Sequence, residues 1–144
     1  MISTLLAAVL LSNSGLVGIG PVTAAGPENI ARGKVVTVSS EERENSKGNA
    51  VDGNHSTRWA TPQNKAVDEF IEINLDGAKP VQQIQVYFEK SDAEQNILGY
   101  QVELEENGSY QVVHTKNEKA KQEEIIQLDS VHTATKVKVK ILNV

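Results

Sequence analysis

The chain has 144 residues, a formal net charge of -5 and no cysteine. It is long enough for one domain with a real core, and nothing in it can form a disulfide framework. The acidic balance argues against nucleic acid or an anionic membrane surface as partner.

In chain order, the first 27 residues carry no charged side chain, whereas charge is dense from Glu28 onward. Residues 5–11 form an apolar run, and Val22-Thr23-Ala24 has the small-residue pattern of a signal-peptidase site. We expect residues 1–24 to be a secretory signal peptide, although its start lacks Lys and Arg, and residues 25–28 to be a short linker. Ser12, Asn13 and Ser14 break the run before it reaches spanning length, so an uncleaved anchor is not expected.

After the linker, period-two alternation replaces any helical pattern. Ile71, Ile73 and Leu75 share one face of a segment, against Glu72 and Asn74. Ile84, Val86 and Phe88 alternate with Gln83, Gln85 and Tyr87. Leu98, Tyr100, Val102 and Leu104 oppose Gln101 and Glu103, and Val137, Val139 and Ile141 close the series. Lys136, Lys138 and Lys140 alternate with those last residues and read as the wet face of a strand. Turn signals punctuate the segments at Asp52-Gly53, Asp76-Gly77 and Asn107-Gly108, the last being the strongest hairpin signal. This spacing is that of an all-β antiparallel β-sandwich.

One segment stands apart, N-A-V-D-G-N-H-S-T-R-W at 49–59. Gly53 lets the backbone fold back, so that the oxygens of Asp52, Asn54 and Thr57 can converge on a hard cation together with backbone carbonyls. The competing expectation is a turn closed by hydrogen bonds from Asp52 and Thr57. Trp59 is too large and apolar to leave in water and should anchor the loop to the core.

The same segment resembles the signature loop of the discoidin domain, also called the coagulation factor 5/8 type C domain, whose bacterial branch is the family 32 carbohydrate-binding modules. Residues 29–40 resemble that family's opening strand, F-I-E-I-N-L-D-G at 70–77 its strand and turn element, and 81–88 and 96–104 the strand pair that follows. The resemblance covers 29–144. It implies a galactose-binding-domain-like jelly roll that stops about one strand early, without the last strand and its Glu. It further implies a structural calcium ion held by the Asn49 carbonyl, Asp52, Asn54 and Thr57.

The resemblance also implies glycan binding by loops at one end of the sandwich. Planar polar groups there bond vicinal sugar hydroxyls, and an aromatic face takes the C–H side of the ring. The candidates are Glu42 and Asn45 in the first loop, and Glu89, Lys90 and Asn96 in the loop between the middle strands. Lys90 stands where the family commonly has Arg, so the bidentate fork is lost while the charge stays. Most aromatic residues fall on expected strands, with Tyr87 and Tyr110 the least committed to a core.

His55, His114 and His132 lie far apart, and no catalytic motif accompanies them. Glu41-Glu42, Glu105-Glu106 and Glu123-Glu124 are sequence neighbours, poor candidates for the facing carboxylates of a glycosidase. The expectation is therefore a secreted or cell-surface, non-catalytic module. It would bind galactose- or N-acetylhexosamine-type glycans and tether a glycoside hydrolase on the same or a neighbouring polypeptide. The alternatives are an adhesion module for protein or phospholipid, or a structural spacer without ligand. Glu41, Glu42 and Glu44 in the first loop favour sugar over lipid.

Overall fold

The computed structural model describes residues 5–6, 8–12, 28–62, 65–88 and 97–144. Two short strands, β1 (Leu5–Leu6) and β2 (Ala8–Ser12), precede β3 (Val36–Val38). A 3-10 turn at Lys47–Val51 leads to β4 (Trp59–Ala60), and β5 (Phe70–Tyr87), β6 (Gly99–Glu106), β7 (Ser109–Lys116) and β8 (Glu123–Asn143) follow. Every pairing is antiparallel. The main sheet runs β2-β5-β8-β6-β7, with β3 also on β5, and β1 pairs β4 separately. Both β1 and β2 fall inside the stretch expected to be a signal peptide, β2 lying along Gln83 to Tyr87 of β5.

The long pair β5 and β8 organises the molecule. Its ladder breaks register between Asn74 and Lys79 and again between Val81 and Gln83. At the first break Asp76 and Gly77 take φ of 59° and 106°, a left-handed kink that Gly adopts without strain. The sequence reading separated two strands here; the structure instead carries one strand through the Asp76-Gly77 turn, because β8 runs alongside and pairs with it on both sides, Lys136 with Asn74 and Ala134 with Lys79. The two halves of β5 bury one shared core. Ile71, Ile73, Leu75, Val81, Ile84 and Val86 are all fully buried, together with Tyr100, Val102, Leu104 and Val137.

The alternation therefore sorts inside from outside as expected, with one correction. Leu98, read as a core position of its strand, precedes β6 and is 38% exposed. Its N–H bonds the Asn143 carbonyl at 2.9 Å, so the backbone is held while the side chain faces water. The Asn107-Gly108 hairpin forms with both residues at positive φ, 51° and 79°, which matches a two-residue type I′ turn. Where β7 meets β8, Lys116 and the buried Glu124 pair at 2.6 Å, and Glu124 also accepts the Lys121 N–H.

Candidate functional site

The first expected sugar loop is a tight turn fastened to β4. The Glu42 N–H donates to the Ala60 carbonyl at 2.8 Å, and the Ala60 N–H donates to the Asn45 carbonyl at 3.1 Å. The turn brings the two candidates together, with Asn45 Nδ2 donating to Glu42 Oε2 at 2.9 Å. Carboxylate and amide thus lie side by side near the surface, an acceptor beside a donor. Glu41 accepts the Lys47 N–H at 2.8 Å and fixes the exit of the turn. Beneath it, Trp59 is 1% exposed and donates its indole N–H to the Ser40 carbonyl at 2.9 Å. Trp59 anchors the loop as its size requires. Glu69 accepts hydrogen bonds from the Ser39 and Ser40 hydroxyls, a contact across some thirty residues that no local pattern announces.

The segment 52–57 is closed by its own side chains. Asp52 Oδ1 accepts the Asn54 N–H at 2.7 Å, and Asn54 Oδ1 accepts the Ser56 N–H at 2.9 Å. The Thr57 hydroxyl lies 2.5 Å from Asp52 Oδ2 and 2.9 Å from the Asn54 carbonyl oxygen. Of the four expected metal ligands, Asp52, Asn54 and Thr57 converge. Asn49 donates its side-chain amide to the Arg58 carbonyl at 3.0 Å, a bond that does not involve the backbone oxygen expected to bind the ion. The three converging oxygens share a single hydroxyl proton and are all hard donors, so they fit a calcium-type ion. Among the described residues no group of three or more His, Cys, Asp or Glu side chains gathers, and Asp52 is the one carboxylate of this loop.

Glu89, Lys90 and Asn96 of the second expected sugar loop lie outside the described residues. What enters that loop is visible, however. Tyr87, the last residue of β5, points outward in the alternation and stacks on His55, ring centroids 4.2 Å apart and planes tilted by 32°. Its hydroxyl donates to Glu123 Oε1 at 2.9 Å. Burial raises the phenol pKa, and the hydrogen bond and charge of Glu123 raise it further, so the hydroxyl stays a donor. Beside it Gln85 Nε2 donates to Gln83 Oε1, and Gln83 Nε2 to Gln127 Oε1, both at 3.1 Å. Sequence reasoning left His55 as a solvent-facing loop residue. It is exposed, yet its ring covers Tyr87, a contact between distant segments that no periodicity announces.

Comparison with known proteins identifies the family. Residues 35–144 match the F5/8 type C domain, and the chain belongs to that family. Among solved structures, the module CpGH89CBM32-4 produced by Clostridium perfringens, in complex with GlcNAc-α-1,4-galactose, is similar at 26% identity and a TM-score of 0.70. The match covers 86% of this chain and 85% of that one. The family 32 carbohydrate-binding module of C. perfringens NanJ, in complex with galactose, matches at 23% identity and a TM-score of 0.67, covering 76% and 82%. Chitosan-binding module 2 of a chitosanase/glucanase from Paenibacillus sp. IK-5, in complex with chitotriose, matches at 21% and 0.71, covering 80% and 88%. The latter two likenesses speak for the fold. No curated protein sequence matches the chain.

Proposed function

We propose that this F5/8 type C domain is a secreted or cell-surface, non-catalytic carbohydrate-binding module for galactose- or N-acetylhexosamine-type termini. Its role on this reading is to hold an associated glycoside hydrolase against its substrate. The observation that carries the reading is the His55–Tyr87 ring pair. It supplies an aromatic surface beside planar polar groups, Gln85 and Glu123, at the residue that leads into the 89–96 loop. A pyranose asks for this combination, a ring face for its C–H side and fixed acceptors and donors for its hydroxyls. The similar modules are in complex with galactose, GlcNAc-α-1,4-galactose and chitotriose, which supports the same ligand class here.

A shallow surface of this kind binds weakly, with a Kd of roughly 0.1–1 mM, because few anchors offset the cost of ordering. A glycan array followed by calorimetry tests the reading. Binding to a galactosyl or N-acetylhexosaminyl glycan that Tyr87→Ala and Asn96→Ala each remove, with the circular dichroism spectrum unchanged, is the expected result. No binding to any glycan on the array would overturn it.

We further propose a structural calcium ion at Asp52, Asn54 and Thr57. When bound, the ion would supply positive charge that draws the three oxygens together and stiffens the loop. Because it would bind only the folded chain, calcium should raise the melting temperature relative to a chelator, and Asp52→Ala should abolish the rise. Identical melting curves with calcium and with chelator would leave the loop as a turn only.

A further inference from the structure

At the bend of β5 the surface opens into a groove of about 360 Å³. Its walls carry three cations, Arg32, Lys34 and Lys79, with Glu28 at the rim and Ile30 and Pro80 as apolar lining. On a chain of net charge -5 this local excess of positive groups is out of character. Lys34 is partly neutralised by Asp76, whose carboxylate lies 3.1 Å from its Nζ. Among the described residues, neither Arg32 nor Lys79 forms an ion pair.

Arg32 also lies against the Asp52-Gly53 turn. A Cβ at Gly53 would fall 3.1 Å from Arg32 Nε and 3.2 Å from its Cζ, so the bare Cα of Gly53 leaves the room that the guanidinium fills. Gly53 needs its positive φ of 79° for the turn at Asp52, and the same choice of residue seats the fork of Arg32 beside the groove. A guanidinium presents a planar fork that matches a two-oxygen acceptor.

We propose that this groove is a second, independent binding site for a singly charged acidic sugar. Arg32 and Lys79 hold the anionic group, a carboxylate or a sulfate ester. Ile30 and Pro80 lie under the C–H side of the ring, and Glu28 accepts a hydroxyl. The rim carboxylate and the overall negative charge turn away polyanions such as nucleic acid, which need a run of unopposed cations. Lys79 and Tyr87 stand at opposite ends of the second half of β5, roughly 25 Å apart at 3.3 Å per residue, whereas Arg32 abuts Gly53, two residues from His55.

The test is an NMR titration of the full chain with three probes, galacturonic acid, galactose 6-sulfate and neutral galactose. The Arg32 Nε–H and the Lys79 backbone amide should shift with at least one acidic probe and stay still with galactose. A response to galacturonic acid assigns the carboxylate, and one to galactose 6-sulfate the sulfate ester. Arg32→Ala and Lys79→Ala should each weaken the responding probe about tenfold, the size expected for one charge-assisted hydrogen bond. Added salt should weaken it as well. The proposal fails if neither acidic probe moves these signals at about 20 mM, or if the double variant Arg32→Ala/Lys79→Ala binds as the parent does. Neither failure touches the neutral-glycan reading, which Tyr87→Ala tests separately.

Discussion

The two halves of β8 present opposite solutions to the same problem, how to dress the outer face of a sheet. In the carboxy-terminal half Lys136, Lys138 and Lys140 face out, and every one of them is answered. Lys136 lies 3.3 Å from Glu105, Lys138 lies 3.6 Å from Glu72, and Lys140 lies 2.8 Å from Asp68. Lys138 also sits 4.0 Å above the Tyr110 ring, whose hydroxyl is spent on Glu72. In the amino-terminal half the outward residues are Glu123, Ile125 and Gln127, facing Tyr87, Gln85 and Gln83. Ile125 is 55% exposed, and the amides form a ladder of uncharged donors and acceptors. Both faces are internally bonded, the first through ion pairs and the second through uncharged groups. The second presents rings, amides and an apolar contact, which suit a neutral polar ligand better than a charged face does.

The largest expected effect tests whether the halves share one core. Ile73→Ala in the first half of β5 and Ile84→Ala in the second should each cost about 2–5 kcal/mol, since both side chains are fully buried. Urea denaturation should show a single transition in each case. Two separated transitions would divide the molecule where we join it. Next in size, Tyr87→Ala and Tyr110→Ala should part company in calorimetry. The first should weaken glycan binding at least about tenfold, the equivalent of about 1.4 kcal/mol, and the second should leave it unchanged. Equal losses would erase the distinction between the faces.

Lys138→Ala should cost about 1 kcal/mol by chemical denaturation, because a largely shielded ion pair and a cation–π contact go together. The smallest effect is a pH dependence at His114 on β7. Burial lowers its pKa from the usual 6.5; Glu124 opposes the shift and Lys116 adds to it. The unfolded chain therefore takes up the proton first. Stability is complete above about pH 6.5 and declines as pH falls through the window between that value and the lowered folded one. His114→Gln should flatten that part of a melting-temperature profile. An unchanged profile would remove His114 from the account.

What the sequence made legible was whatever depends on neighbours along the chain. Ile71, Ile73 and Leu75, or Val137, Val139 and Ile141, declare their buried face by alternation, and Asn107-Gly108 declares its turn by the positive φ both residues tolerate. The bend at Asp76-Gly77 was legible as a turn but not as a kink in a continuous strand, because that depends on β8 pairing with it on both sides. The side-chain ladders were not legible, since Tyr87 meets Glu123, and Gln83 meets Gln127, only through the register of two strands far apart in sequence. His55 on Tyr87 required a loop to close over a strand end, which no local pattern encodes. The turn at 52–57 was the exception. Asp52, Asn54 and Thr57 lie within six residues, so their convergence could be read from the chain itself.

The pairing of β5 with β8 carries a kinetic consequence. Its register joins Phe70 to Lys140 at one end and Tyr87 to Glu123 at the other, with the β6–β7 hairpin spliced between them. The hairpin closes locally, on a timescale of about 1–10 μs. The long ladder must first close a loop of many residues before any of its contacts is rewarded, and such topologies fold on the order of milliseconds to seconds. Synthesis imposes the same order. Since β8 leaves the ribosome after β5, Ile71, Ile73 and Ile84 wait without their partner until translation reaches it. That interval, rather than the finished fold, is when this domain is most exposed to aggregation.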